Sequence, residues 1–326
     1  MKIGVIGGGA WGTALAQVAA AGGEPVLLWA LEPDVVEAVN AAHENPIYLA
    51  GVPLSPAIRA TGQLADLESC DALLVVTPAQ HVRRVLDGID AAGKPLVLCS
   101  KGIEAGSRKL VSEVVEEVQP AAAIAVISGP TFAHEVARGL PTAVTLACAD
   151  ENVGAALAVR LARPNFRPYG STDVIGAEIG GAVKNVLAIA CGVVEGRGLG
   201  SNARAALIAR GFAEMTRFGL ARGARPETLA GLSGLGDLVL TCSSMQSRNF
   251  TLGKGLGEGR GAAELMADVR TVAEGAFTAP VLQEAARDVG VDMPVVDAVC
   301  ALLDGTASAD TIVSALLSRP LRSEGR

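Results

Sequence analysis

The sequence predicts an α/β chain in two parts, a doubly wound, mostly parallel sheet over residues 1–173 and an all-helical domain over 174–326. Three observations carry this. A β-branched run at the start passes directly into a glycine turn and an apolar helix. Strand-like and helix-like segments then alternate as far as about residue 170. From residue 174 the strand pattern ends and only helical spacing of apolar residues remains. A chain of 326 residues is long enough for two such domains, each with its own core.

Lys2 to Ile6 reads as the first strand, Gly7-Gly8-Gly9-Ala10-Trp11-Gly12 as the turn, and Thr13 to Ala19 as the first helix. Gly7, Gly9 and Gly12 fall on the Gly-x-Gly-x-x-Gly spacing of a Rossmann-like fold. The first allows a tight turn, the second lets a pyrophosphate approach the backbone, and the third lets helix and strand pack closely. The helix start then offers free N–H groups to the phosphates. Because the motif lies behind a strand and ahead of a helix, it predicts dinucleotide binding rather than a structural turn. Pro25 to Ala30 is the second strand. Glu32, near its end, is placed to hold the adenosine ribose hydroxyls; equally, Glu32-Pro33-Asp34 can simply begin the next helix, Val35 to Ala42.

The alternation continues with a strand at Ala72 to Val76 ending in Thr77-Pro78, and a helix through His81 to Ile89. A strand at Pro95 to Cys99 ends in Ser100-Lys101-Gly102, and a helix runs from Ser107 to Val118. The strand Ile124 to Ile127 ends in Ser128-Gly129-Pro130-Thr131. A helix at Val153 to Leu161 and a strand at Phe166 to Tyr169 complete this half, and Gly170-Ser171-Thr172-Asp173 supplies an N-cap where the second half begins. Ligands of such sheets sit beyond the carboxyl ends of the strands. Lys101 is therefore a candidate to meet a phosphate or carbonyl, with a solvated loop lysine as the alternative. His81 and His134 are read as surface or capping histidines.

The second half predicts helices over 174 to about 194, 202–219, 226–232, 273–289, 294–303 and 308–317, with the glycine-rich stretches 196–200 and 253–261 as loops. Its first helix is apolar all round from Ile175 to Val194, the pattern of a buried helix, yet it contains Lys184. A lysine in such a wall must snorkel, find a carboxylate or do chemistry. The bland alternative pairs it with Glu178 or with an acid from another helix. Gly180 and Gly181 each cost roughly 1 kcal/mol of helix stability against alanine, which points to a close-approaching ligand or backbone. Three polar clusters stand out: Ser233-Gly234-Leu235-Gly236-Asp237, Ser247-Arg248-Asn249, and Arg197 to Arg204 with Asn202. Arginine beside hydroxyl and amide donors suits bidentate phosphate recognition. Each also has a plainer reading: Asp237 as a cap, Arg248 as a surface arginine, Asn202 as an N-cap.

Lysine and arginine total 27 against 34 acids, a net charge of −7 with no basic run, so the footprint of nucleic-acid or anionic-membrane binding is missing. The six cysteines are widely spaced without a CxxC pair, and there are only three histidines. That predicts no metal site and a reducing compartment. The start of the chain turns glycine-rich too soon for a signal peptide. No apolar run is expected to approach the ~20 residues that span a bilayer. The expected location is cytoplasmic.

Taken together, GGGAWGTALA at Gly7–Ala16, SKGIE at Ser100–Glu104, VISGPTFA at Val126–Ala133, GGAVKN at Gly180–Asn185, NARAALIAR at Asn202–Arg210, GLGDLVLTC at Gly234–Cys242 and QSRN at Gln246–Asn249 resemble bacterial NAD(P)-dependent glycerol-3-phosphate dehydrogenase. The likeness runs from residue 7 to about 275, and more weakly to the end. It implies a Rossmann-like domain followed by a helical domain like the C-terminal domain of 6-phosphogluconate dehydrogenase. It also implies hydride transfer between dihydroxyacetone phosphate and sn-glycerol 3-phosphate, usually feeding phospholipid synthesis. By resemblance, Lys184 is the proton donor and acceptor. Substrate contacts fall on Lys101, Gly129, Thr131, Lys184, Asp237, Ser247, Arg248 and Asn249. Cofactor contacts fall on Ala10, Trp11, Lys101, Ala133, Arg248, Val272 and Glu274, beside the motif residues Gly7, Gly9, Gly12 and Glu32. The cofactor is NAD or NADP. Leu31 stands where the family often has Arg or His for a 2′-phosphate, and Glu32 tilts the balance towards NAD. The one partner expected is a small phosphorylated substrate; oligomeric state is left open, a homodimer being one option. Burial, Lys101 and Arg248 should lower the pKa of Lys184, with Asp237 opposing. The rivals are a 3-hydroxyacid dehydrogenase of the 6-phosphogluconate type and a redox-sensing nucleotide-binding protein.

Overall fold

The computed structural model describes residues 1–91, 93–267 and 273–312. The first half forms a single eight-stranded sheet in the order β3-β2-β1-β4-β5-β6-β7-β8. Its elements in chain order are β1 (Ile3–Ile6), α1 (Ala10–Ala20), β2 (Val26–Trp29), α2 (Pro33–Ala42), β3 (Ile58–Thr61), β4 (Ala72–Val75), α3 (Val82–Leu86), β5 (Leu96–Leu98), α4 (Val111–Val118), β6 (Ile124–Ser128), α5 (Ala133–Ala137), β7 (Thr142–Cys148), α6 (Glu151–Leu161) and β8 (Phe166–Ser171). All pairings are parallel except β6 with β7. Strand order reverses between β1 and β4, so the crevice beyond their carboxyl ends is where a ligand of this fold sits. Apolar clusters cover both faces of the sheet, one around Ile3, Val5 and Leu28, the other around Ile6, Leu73 and Val75.

Two strands lie where none was expected. β3 has only four residues, and β7, at seven residues the longest strand of the sheet, forms from the β-rich run Thr-Ala-Val-Thr-Leu-Ala-Cys. Helix starts also moved. α4 begins at Val111 rather than Ser107, because Ile103 and Leu110 bridge antiparallel across a turn that holds Arg108 at φ 57°. α6 begins at Glu151 rather than Val153, because the Asp150 carboxylate accepts from the backbone N–H of Asn152 and Val153.

The second half contains α7 (Val174–Gly196), α8 (Gly200–Ala221), α9 (Pro226–Leu229), α10 (Asp237–Thr241), α11 (Arg248–Gly257), α12 (Ala262–Leu265), α13 (Glu274–Asp288) and α14 (Pro294–Leu303). Asp173 caps α7 by accepting from the N–H of Gly176 at 2.9 Å. Residues 176–194 of α7 are buried without a break, and the other helices wrap them. Contrary to expectation, one apolar run does reach membrane-spanning length: α7 has a mean hydropathy of 1.5 over its most apolar window, of which 89% is buried in this core. The 253–261 stretch is another correction, since residues up to Gly257 belong to a helix. Gly253 and Gly257 lie against α7 so closely that a Cβ would stand 1.9 Å from the Ile189 carbonyl oxygen and 2.5 Å from that of Val193. From the other side, a Cβ on Gly192 or Gly196 would stand 2.1 Å from the Phe250 oxygen or 2.2 Å from that of Lys254. These glycines let two helix backbones touch; they do not make a loop. The helix expected over 308–317 lies outside the described residues from 313 onward.

Candidate active site

Lys184 meets its partner because two short stretches interlock. Ahead of α10 the chain makes one wide turn, with the N–H of Gly236 donating to the Gly231 carbonyl five residues back at 3.0 Å. A Cβ on Gly180 would stand 2.2 Å from the Ser233 oxygen, so glycine lets α7 press against this turn. Asp237 then opens α10 directly opposite Lys184.

The Lys184 Nζ donates to Asp237 Oδ1 at 2.6 Å and to Thr241 Oγ1 at 2.9 Å. The second carboxylate oxygen of Asp237 accepts from Lys101 Nζ at 2.9 Å, and Thr241 Oγ1 donates to Oδ1 at 3.3 Å. Asp237 is fully buried, while the Lys184 and Lys101 side chains keep 7% and 15% of their exposure. One carboxylate thus bridges two ammonium groups. The alternative pairing with Glu178 does not occur: that carboxylate accepts from the Ser112 N–H at 2.9 Å and from the Ser112 hydroxyl.

Burial lowers the pKa of Lys184 to about 8; Asp237 opposes the shift and the Lys101 charge adds to it. Burial also pushes Lys101 down, but Asp237 outweighs it and holds that ammonium above the usual lysine value. The two lysines sharing one acid are therefore driven apart, Lys101 to stay charged and Lys184 to titrate near neutrality. The charge of Arg248 is felt by Glu274, whose carboxyl is raised by burial and lowered by Arg248, Lys101 and Lys184. Glu274, half-buried at the start of α13, lies within electrostatic reach of all three cations.

The Ser247-Arg248-Asn249 cluster opens α11. Ser247 caps that helix, its Oγ accepting from the Phe250 N–H at 3.2 Å, and Arg248 is exposed in the first turn. Buried Asn249 accepts from the Gly275 N–H at 2.8 Å and so ties α11 to the start of α13. A capping serine still has its O–H to donate, and Asn249 still has its amide N–H groups. Gly129, with φ 152°, and Thr131, whose hydroxyl donates to the Gly129 carbonyl at 3.2 Å, follow β6, and Ala133 begins α5.

At the carboxyl end of β1, Gly7 has φ 125° and a Cβ on Gly12 would stand 1.9 Å from the Gly7 carbonyl oxygen. The space beside Gly9 is open, with nothing within 4 Å of where a Cβ would be. Ala10 and Trp11 begin α1, whose first N–H groups have no partner within the helix. Trp11 Nε1 and Thr77 Oγ1, the latter at the end of β4, are buried and unpartnered. An open cradle, free helix N–H groups and orphaned polar atoms near the carboxyl ends of β1 and β4 fit a dinucleotide. Glu32 begins α2 through its carbonyl, and its carboxylate accepts from the Tyr48 hydroxyl at 2.9 Å. Val272 lies outside the described residues.

The Arg197 to Arg204 cluster does not join the site. Arg197 pairs with Asp310 and Arg204 with Glu195, and Asn202 is exposed on α8. Residues that sequence reasoning missed include Thr241, Asn45 and Tyr48. Thr241 was within reach, being four residues beyond Asp237 on one helix face; Asn45 and Tyr48 reach Gly8, Thr13 and Glu32 through contacts far apart in the chain.

Among known proteins, the family model described as NAD-dependent glycerol-3-phosphate dehydrogenase N-terminus matches residues 2–154, and the one described as its C-terminus matches residues 173–314. Glycerol-3-phosphate dehydrogenase [NAD(P)+] 1 of Sphingopyxis alaskensis is 63% identical over 325 residues, covering 100% of this chain and 98% of that protein. The Erythrobacter litoralis glycerol-3-phosphate dehydrogenase [NAD(P)+] is 64% identical over 323 residues, covering 99% and 98%. The crystal structure of glycerol-3-phosphate dehydrogenase from Coxiella burnetii is 40% identical and superposes with a TM-score of 0.93 over 98% of this chain and 99% of that one. D-mandelate dehydrogenase with NADH, at 15% identity and a TM-score of 0.64 over 95% of this chain and 99% of that one, shares the fold alone.

Proposed function

The chain belongs to the NAD-dependent glycerol-3-phosphate dehydrogenase family, and from that premise we propose that Lys184 exchanges the proton while Arg248 and its neighbours hold the phosphate. The protein is an oxidoreductase that interconverts dihydroxyacetone phosphate and sn-glycerol 3-phosphate with NAD(H) or NADP(H). The observation that carries the assignment is the Asp237 carboxylate bridging Lys184 and Lys101.

Reduction of the ketone leaves an alkoxide that needs a proton. The nicotinamide, when bound, supplies the hydride. Lys184 gives its proton to the nascent hydroxyl oxygen and becomes a neutral amine; in oxidation it takes the proton back. A group with a pKa of about 8 does either at neutral pH, whereas an ordinary lysine is too weak an acid, and such catalysis is worth ~10²–10⁴-fold. Asp237 and Thr241 aim the ammonium, and Lys101 keeps its charge to polarise the substrate carbonyl or bind its oxygens. Arg248, Ser247 and Asn249 take the phosphate, with Gly129 and Thr131 completing the substrate wall, so that binding at the remote end orients the carbonyl. Gly7, Gly9, Ala10, Trp11, Gly12, Glu32, Lys101, Ala133, Arg248 and Glu274 face the cofactor in this reading. The same reading divides the chain at 173/174, where Asp173 caps α7. It also puts the enzyme in the cytoplasm, on the cysteine usage of the chain, and the supply of phospholipid synthesis rests on family resemblance.

Lys184→Ala tests the central role. NADH binding, followed by nucleotide fluorescence, should persist while turnover of dihydroxyacetone phosphate is lost; near-normal turnover removes Lys184 from the proton transfer.

A further inference from the structure

The loop between α2 and β3 makes two contacts that bear on which dinucleotide the enzyme takes. Asn45 is completely buried, and its Nδ2 donates to the Gly8 carbonyl and to Thr13 Oγ1, both at 2.8 Å. Its Oδ1 accepts from the Tyr48 N–H at 3.1 Å. The loop is thereby fastened to the phosphate turn itself. Three residues on, the Tyr48 hydroxyl donates to Glu32 Oε1 at 2.9 Å. One short segment thus links the turn that receives the pyrophosphate with the acid that ends β2.

We propose that Tyr48 holds Glu32 in place to select NADH over NADPH. This rests on the reading of the chain as an NAD(P)-dependent dehydrogenase. A carboxylate only accepts hydrogen bonds. It can therefore pair with a ribose 2′-hydroxyl, which donates, and not with a 2′-phosphate, which brings further acceptors and negative charge. With one oxygen taken by Tyr48, the Glu32 carboxylate cannot swing away to make room. The surroundings add no compensating cation. Leu31 is 73% exposed where a guanidinium would be needed, and Asp34 puts a second acid in the first turn of α2. Arg59 on β3 pairs in register with Leu27, four residues before Leu31 and so behind the strand end. No ion pair to Glu32 forms among the described residues. The positive end of α2 would welcome an anion, but Glu32 and Asp34 already occupy that field.

The test compares kcat/KM for NADH and NADPH, each with saturating dihydroxyacetone phosphate, in the wild type and in Glu32→Gln, Tyr48→Phe and Asn45→Asp. The wild type should favour NADH by tenfold or more. Glu32→Gln should lower that preference at least tenfold, by gaining NADPH activity as well as losing NADH activity. Tyr48→Phe should narrow it three- to tenfold, with the loss falling on KM for NADH more than on kcat. Asn45→Asp disturbs the phosphate turn common to both nucleotides, so it should raise both KM values together and leave the ratio alone. A wild type that uses NADPH as well as NADH, or a ratio that either Glu32→Gln or Tyr48→Phe does not move, overturns the proposal. Turnover with either nucleotide leaves the assigned reaction standing whichever way the ratio falls; absence of turnover with both would remove the reading on which the proposal rests.

Discussion

Replacing Asp237 by Asn isolates the charge that holds the lysine pair together. In the wild type the carboxylate accepts from Lys184 at 2.6 Å and from Lys101 at 2.9 Å, within a fully buried site. Reduction consumes the ammonium form of Lys184, so kcat should be full below a pKa of about 8 and fall above it. Oxidation needs the neutral amine and should rise through the same point. Asn keeps the shape and a carbonyl acceptor but loses the charge. A hydrogen bond to a charged group contributes about 1.5–3 kcal/mol. At about 1.4 kcal/mol for each pH unit, its loss should move the alkaline limb down to between roughly 6 and 7. The remaining Lys101 charge pushes in the same direction. The assay is kcat for dihydroxyacetone phosphate reduction at saturating NADH, from about pH 5.5 to about 9.5 in both proteins, with the oxidation profile as the mirror image. A limb that stays where it was, or moves up, would refute the claim that Asp237 sets the acidity of Lys184. A wild-type profile flat through pH 8 would refute the assignment of Lys184 as the acid.

Three other outcomes follow from the same structure. Burial raises the Glu178 carboxyl from 4.5 to about 7, so between those values the folded protein holds a proton that the unfolded chain releases, and wild-type stability falls as pH rises through that window. Glu178→Gln removes this dependence, and its thermal stability relative to wild type should improve by up to about 3 kcal/mol between pH 5 and pH 8; calorimetry at the two pH values checks it. Gly253→Ala puts a Cβ 1.9 Å from the Ile189 carbonyl oxygen, with backbone on both sides, and should cost about 3 kcal/mol or more in urea denaturation; a loss below about 1 kcal/mol would mean the helices do not touch there. Arg248→Lys keeps the charge but loses the planar fork, so KM for dihydroxyacetone phosphate should rise about tenfold with a smaller change in kcat; an unchanged KM would leave Arg248 facing solvent.

The glycine turn at Gly7 to Gly12 was legible from the chain alone, because its neighbours are local: a strand just before, a helix just after, and steric demands that glycine alone meets. So was the buried helix around Lys184, since nineteen successive buried positions leave an unmistakable apolar record. The sequence offered a carboxylate partner as one of three fates for Lys184, and it could not say which acid that would be. Glu178 was six residues away and Asp237 fifty-three, yet Asp237 is the partner. That choice depends on how near α7 can come to the turn before α10, and the missing Cβ of Gly180 sets that distance. The glycines of 253–257 were read as a loop for the same reason: in isolation they weaken a helix, and only the facing backbone of α7 shows why they are there. The partners of Glu32 and Asn45 likewise come from contacts far apart in the chain. Residue type and local period determined which groups were available for chemistry. Backbone approach between separate elements decided which of them meet, because hydrogen bonds and burial act over ångströms in space, whatever the separation along the chain.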